Sequence, residues 1–170
     1  MEPMLKIVVT GPFSAGKTEF IKAVSEIEVV STERKLTRNG APGKEETTVA
    51  MDYGRTTLKE MTIQLYGTPG QPRFDFMWDI LAKEMDGFVV MVDSTDSETF
   101  GTAEKLIKLF RSFESVPYIV AANKQDLEGA ISPRALRDLL NLEPHVKVAQ
   151  CIATDPIVIK QILLELTKEI

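Results

Sequence analysis

Gly11-Pro12-Phe13-Ser14-Ala15-Gly16-Lys17-Thr18 lies between the apolar run Leu5, Ile7, Val8, Val9 and a stretch where Phe20, Ile21, Val24 and Ile27 recur at helical spacing. Glycines at this spacing, closed by Lys-Thr and set between a strand and a helix, read as a phosphate-binding loop. Gly11 and Gly16 let the backbone turn its N–H groups inward around a phosphate, with Ser14 and Ala15 in the same cradle. Lys17 supplies a point charge for the outer phosphates, Thr18 offers a hydroxyl to Mg²⁺, and the following helix adds its positive dipole end. The chain is therefore expected to bind a nucleotide.

Beyond this loop, residues 31–47 hold Gly40, Pro42 and Gly43 among mixed charges with almost no apolar periodicity, and are expected to form a long functional loop. Two strand-like runs, 49–58 and 61–66, are spaced to pair as an antiparallel hairpin. The pattern then alternates: a buried strand over 88–92, a helix over 100–113, a strand over 118–122, a helix entered through Ser132-Pro133, a strand over 146–152, and a last helix from Asp155-Pro156. Such alternation implies an α/β fold with right-handed crossovers, helices on both faces, and a ligand at the carboxyl ends of the strands. The sheet is expected to be mostly parallel and six-stranded, with one antiparallel edge strand.

A length of 170 residues suits one domain, which at this size buries about 70% of its unfolded surface without needing disulfides. The lone cysteine, Cys151, sits among small and apolar neighbours and reads as a buried thiol in a reducing, cytoplasmic setting. A net charge of -5 argues against a protein that coats nucleic acid or anionic lipid. No apolar stretch approaches the ~20 residues of a membrane span, and neither end carries a lipidation signal, so no direct membrane anchor is expected.

The second informative stretch is Asn123-Lys124-Gln125-Asp126, directly after the 118–122 strand. A carboxylate at Asp126 can accept both the N1–H and the N2 amino hydrogens of guanine, a pattern adenine does not offer. Asn123 can brace the surrounding loops, and the aliphatic stem of Lys124 can lie against the base. Phosphate loop, downstream Gly70-Gln71 and Asn-Lys-x-Asp, in this order, resemble a Ras-like small GTPase over essentially the whole chain. The resemblance implies a P-loop NTPase fold of the Ras-like G-domain type over residues 1–170, with GTP/GDP and Mg²⁺ as ligands. It also implies a role for Cys151-Ile152-Ala153 as the loop that contacts the base, with the Ala153 N–H directed at the guanine oxygen.

By the same resemblance Thr48, in Thr47-Thr48-Val49-Ala50-Met51-Asp52-Tyr53, is the first-switch threonine that ligates Mg²⁺ and senses the γ-phosphate. Gly67-Thr68-Pro69-Gly70-Gln71 matches the second switch only in its last two positions. Gly70 would contact the γ-phosphate and Gln71 would orient the attacking water, with Lys17 stabilising charge. Gly67 stands where the family carries an aspartate, which leaves Thr18, Thr48, phosphate oxygens and solvent to hold the ion. This departure is similar to prokaryotic MglA-type GTPases, whose partners include roadblock-fold activators alongside protein effectors. Phe13 replaces a glycine common in the family beside the γ-phosphate and would crowd the attacking water or an incoming arginine finger, so from Phe13 and Gly67 together intrinsic turnover is expected to be slow. Alternatives to a GTP/GDP switch are an interaction module that binds nucleotide with little turnover, and a small ATPase. His145, Arg55 and the basic residues of 31–47 read as solvated surface, Asp93 as shaping a strand end, and Trp78 as core.

Overall fold

A computed structural model describes residues 3–37, 46–69 and 76–170, and their side chains outside 31–37 and 46–50. The strands are β1 (Met4–Thr10), β2 (Val30–Thr37), β3 (Glu46–Leu58), β4 (Met61–Gly67), β5 (Gly87–Asp93), β6 (Tyr118–Asn123) and β7 (Lys147–Gln150). The helices are α1 (Lys17–Val24), α2 (Trp78–Ala82), α3 (Phe100–Phe113), α4 (Pro133–Leu139) and α5 (Pro156–Thr167). One sheet runs in the order β2-β3-β4-β1-β5-β6-β7. Pairings β4-β1, β1-β5, β5-β6 and β6-β7 are parallel, while β2-β3 and β3-β4 are antiparallel.

Strict alternation along the central strands divides the core into two layers. Ile7 and Val9 of β1, Val89 and Met91 of β5, and Ile119 and Ala121 of β6 pack with Phe20, Ile21 and Val24 of α1 and Ile159, Ile162, Leu163 and Leu166 of α5. Their neighbours Val8, Val90, Val92, Val120 and Ala122 face the other way, onto Trp78, Phe100, Leu106, Phe110 and Leu136. Helix starts follow the expected chemistry: the Ser132 hydroxyl accepts from the Ala135 N–H at 3.2 Å and the Asp155 carboxylate from the Ile157 N–H at 3.0 Å.

Two expectations need correction. The sheet has seven strands rather than six, because the first part of the expected 31–47 loop forms β2, paired from Val30↔Tyr53 to Thr37↔Glu46. Apolar periodicity reports burial of one face, and Val30–Thr37, with charges at Glu33, Arg34 and Lys35 in consecutive positions, has none; its pairing with β3 alone leaves the backbone as its signature. The one strand that runs against the others, β3, is therefore one position in from the edge. The last strand is also shorter than expected, Lys147–Gln150 instead of 146–152.

The hairpin of β3 and β4 turns through Lys59 and Glu60, both at positive φ (46° and 65°), as a two-residue loop matched to strand twist requires. Leu58 then faces Met61, and the register carried up the strands sets Asp52 opposite Gly67. Among the described residues no helix is long and apolar enough to cross a membrane.

Candidate functional site

The loop after β1 reaches the carboxyl ends of β5 and β6, the edge where a parallel sheet presents its ligand. Gly11 has φ +152°, and a Cβ there would stand 2.3 Å from the Met91 carbonyl oxygen of β5. Gly16, at φ +104°, would place a Cβ 2.3 Å from Asn123 Nδ2. Both positions combine a left-handed backbone with a contact only hydrogen fits, so any side chain would push the loop off the sheet.

Lys17 opens α1 and folds back over the loop, donating from Nζ to the carbonyls of Gly11 at 2.7 Å and Pro12 at 3.0 Å. Its side chain is buried. Burial pulls the amine down to about 8, with Asp52 resisting. Between pH 8 and 10.5 the folded chain then holds one proton fewer than the unfolded chain, so stability rises with pH across that window. The gain in the nucleotide-free protein is expected to be about 3 kcal/mol. Chemical denaturation at pH 7.5 and 10.5, compared with Lys17→Met to cancel other groups, checks it; an unchanged difference between the two proteins contradicts it.

Asn123 joins the two halves of the site. It is 3% exposed, donates from Nδ2 to the Ala15 carbonyl at 2.9 Å, and accepts at Oδ1 from the Ala153 N–H at 2.9 Å. The amide expected at the guanine oxygen is thus occupied by Asn123, and Ala153 lines the pocket as part of a braced loop. Cys151 is fully buried behind it, burial pushing the thiol up to about 12.

Lys124, at φ 65°, forms an ion pair with Asp93 at 2.7 Å and reaches the Ser14 carbonyl at 3.4 Å. Burial of Asp93 favours its neutral form, but hydrogen bonds from Lys124 and Thr95 prevail and hold the carboxyl below its ordinary value. Gln125, the variable position of the motif, donates to Ser94 Oγ at 2.9 Å and the Ile131 carbonyl at 2.8 Å. Asp126 is exposed, and its carboxylate makes no hydrogen bond or ion pair with the other described residues. It borders an open pocket of about 410 Å³ together with Ser14, Gly16, Asn123, Lys124 and Ala153, a size suited to a small-molecule ligand. A second cavity of about 350 Å³, beside Tyr118 and Lys147, lies where β6 and β7 begin, and none of the motif residues lines it.

Where α1 begins, Thr18 donates its hydroxyl to Asp52 Oδ2 at 2.5 Å. Thr68 anchors the segment after β4, its N–H on the Val9 carbonyl and its hydroxyl 3.0 Å from that of Thr10. The Pro69 carbonyl accepts from the indole of Trp78, which is buried as expected, whereas Phe76 is 48% exposed. Thr48 lies inside β3, paired with Lys35, and its side chain is outside the described set. Gly70 and Gln71 lie outside the described residues. His145 is on the surface, 3.4 Å from Glu143. Asp52 and Gln125 were absent from the candidate residues read in sequence; for Asp52 the signal is the hairpin register, which places it across from Gly67.

Residues 2–170 match the family described as Arf: ADP-ribosylation factor family. An uncharacterized protein of Methanocaldococcus jannaschii is 32% identical over 123 residues, 72% of this chain and 71% of that one. ADP-ribosylation factor-like protein 8b of Arabidopsis thaliana is 32% identical over 99 residues, 56% of this chain and 54% of its own length. ADP-ribosylation factor-related protein 1 of Rattus norvegicus is 28% identical over 129 residues, 74% of this chain and 62% of its own. The match thus spans 54% and 62% of these two named relatives. Among solved structures, the Arl6 BBS3 small GTPase of Trypanosoma brucei, with bound nucleotide analogue GppNp, superposes with a TM-score of 0.76 at 18% identity, covering 97% of this chain and 96% of that one. At that identity the likeness carries the fold, which is the Ras-like α/β GTPase fold. A family match running from residue 2 to residue 170 extends far past the phosphate loop, and the chain belongs to the ADP-ribosylation factor family of GTP-binding small GTPases.

Proposed function

We propose that residues 1–170 act as one GTP/GDP-dependent switch, which hydrolyses GTP slowly in a Mg²⁺-dependent reaction and is accelerated by a protein partner. The observation that carries this reading is Asn123, whose two hydrogen bonds tie the phosphate loop to the base loop, so that phosphate grip and base selection share one pocket. In this reading Asp126 selects guanine, with Asn123 and Lys124 holding its surroundings. Gly11, Ser14, Ala15, Gly16 and Lys17 hold the phosphates, Gly70 senses the γ-phosphate, and Gln71 orients the water that attacks it. Thr18 and Thr48 hold Mg²⁺, which when bound neutralises charge on the phosphate oxygens. Oxygen donors at Thr18 and Asp52, 2.5 Å apart beside the loop, suit a hard cation.

Phe13 is 63% exposed on the loop, and Gly67 supplies no carboxylate. Both support slow turnover, and Gly67 supports a place near the MglA-type GTPases, for which a roadblock-type activator is the first partner to assay. The buried thiol of Cys151 supports a cytoplasmic setting. Unaided hydrolysis is expected near 10⁻⁴ s⁻¹, and a single-turnover rate above about 10⁻² s⁻¹, the scale of GTPases with a built-in arginine, would contradict it. Mass spectrometry of the nucleotide that co-purifies tests the ligand class: GDP or GTP supports the reading, and ATP or ADP overturns it. The same Phe13 and Gly67 favour a second reading, a nucleotide-bound interaction module without turnover; tight GTP binding with no phosphate release in the presence of any activator would select it.

A further inference from the structure

We propose that Asp52, on β3, supplies the carboxylate that position 67 lacks and completes the Mg²⁺ site behind Thr18. This rests on the guanine-nucleotide reading above. Mg²⁺ in nucleotide sites keeps several waters and takes one or two carboxylates together with substrate phosphates. The resemblance places that acid at residue 67, at the end of β4, where this chain has glycine.

Three observations put a carboxylate there by another route. Asp52 is the direct cross-strand partner of Gly67. A Cβ built on Gly67 would lie 3.3 Å from Asp52 Cβ and 3.6 Å from Asp52 Oδ2, so a side chain at 67 would project into the space the Asp52 carboxylate fills. Thr18, the candidate ligand of the phosphate loop, gives its hydroxyl proton to that same Oδ2 at 2.5 Å. With its proton committed to Asp52, the hydroxyl oxygen keeps its lone pairs for a cation, which is how a partner behind a metal ligand orients it and makes it more basic. Asp52 also acts on the buried Lys17 amine, so its charge is felt at the phosphate end of the loop. The acid has moved one strand across the sheet, onto the strand that also carries Thr48.

The test uses the full chain loaded with a fluorescent N-methylanthraniloyl GDP, with the release rate followed across a Mg²⁺ titration. Wild type is expected to release nucleotide more slowly as Mg²⁺ rises. Asp52→Asn is expected to move the midpoint to roughly 10- to 100-fold higher Mg²⁺, each protein's titration being scaled to its own rate in excess chelator so that any change through Lys17 is separated from the Mg²⁺ response. Asparagine keeps the volume and an acceptor for Thr18, so a merely structural role would leave the midpoint in place. The double variant Asp52→Ala/Gly67→Asp returns the acid across the register and is expected to bring the midpoint back to within about tenfold of wild type. Crowding of the new side chain falls on the flexible end of Ile21, 2.9 Å from the added Cβ. A wild-type midpoint in Asp52→Asn overturns the proposal, as does a folded double variant with no Mg²⁺ response, or wild-type release indifferent to Mg²⁺. A wild-type chain that binds no guanine nucleotide at all overturns the reading beneath it as well, a result distinct from the others.

Discussion

Asp126→Asn is expected to reverse base preference, costing roughly 10⁴-fold in guanine nucleotide affinity while admitting xanthine nucleotides. A carboxylate offers two acceptors to the N1–H and N2 amino groups of guanine. The amide of asparagine offers one acceptor and one donor, which pair instead with the N1–H and C2 carbonyl of xanthine. The fold should be indifferent to the change, because Asp126 is exposed and bonds no other described residue. Stability is therefore expected to move by no more than about 0.5 kcal/mol. Competition binding with GDP, XDP and ADP reads the preference directly. Equal affinity of the variant and wild type for GDP would mean that base selection lies elsewhere in the pocket.

Lys17→Met is expected to move affinity and stability in opposite directions. In the nucleotide-free protein the Lys17 ammonium is buried against two carbonyls, and its lowered pKa shows that the folded surroundings favour the neutral amine. Removing the charge lifts that penalty but leaves the Gly11 carbonyl without its donor, so stability is expected to rise by on the order of 1–2 kcal/mol. Phosphates entering the loop would lose the charge they need. Breaking a buried pair by removing one partner costs about 3–5 kcal/mol, which is roughly 10² to 4 × 10³-fold in affinity. Calorimetric titration with GDP and denaturation of the nucleotide-free protein give both numbers. A variant that loses stability and affinity together would mark Lys17 as a structural residue of the loop.

What could be read from the sequence followed the distance over which each feature is encoded. The hairpin runs 49–58 and 61–66 became Glu46–Leu58 and Met61–Gly67, and the helix over 100–113 was found at Phe100–Phe113, because a buried stripe and a tight turn are written within one element. The strand Val30–Thr37 escaped because its charged run gives no such stripe.

The site divides in the same way. Gly11, Gly16, Lys17 and Asn123 are legible as motifs, since each motif is one contiguous turn whose backbone geometry is local. Their fit is not: the Met91 carbonyl that demands Gly11 and the Asn123 amide that demands Gly16 come from strands 80 and 107 positions further along the chain. The occupation of the Ala153 N–H by Asn123 is likewise a contact across 30 positions.

By itself, then, the sequence determined that the glycine-rich Gly11–Thr18 motif and the Asn123–Asp126 motif stand at the ends of strands in an alternating α/β chain, because propensity, patterning and turn chemistry act over a few residues. Only the tertiary structure decided that Asp52 faces Gly67 and takes the Thr18 hydroxyl, a contact across 34 positions. That meeting depends on hairpin register and on α1 packing against the sheet, and both are fixed when the core closes.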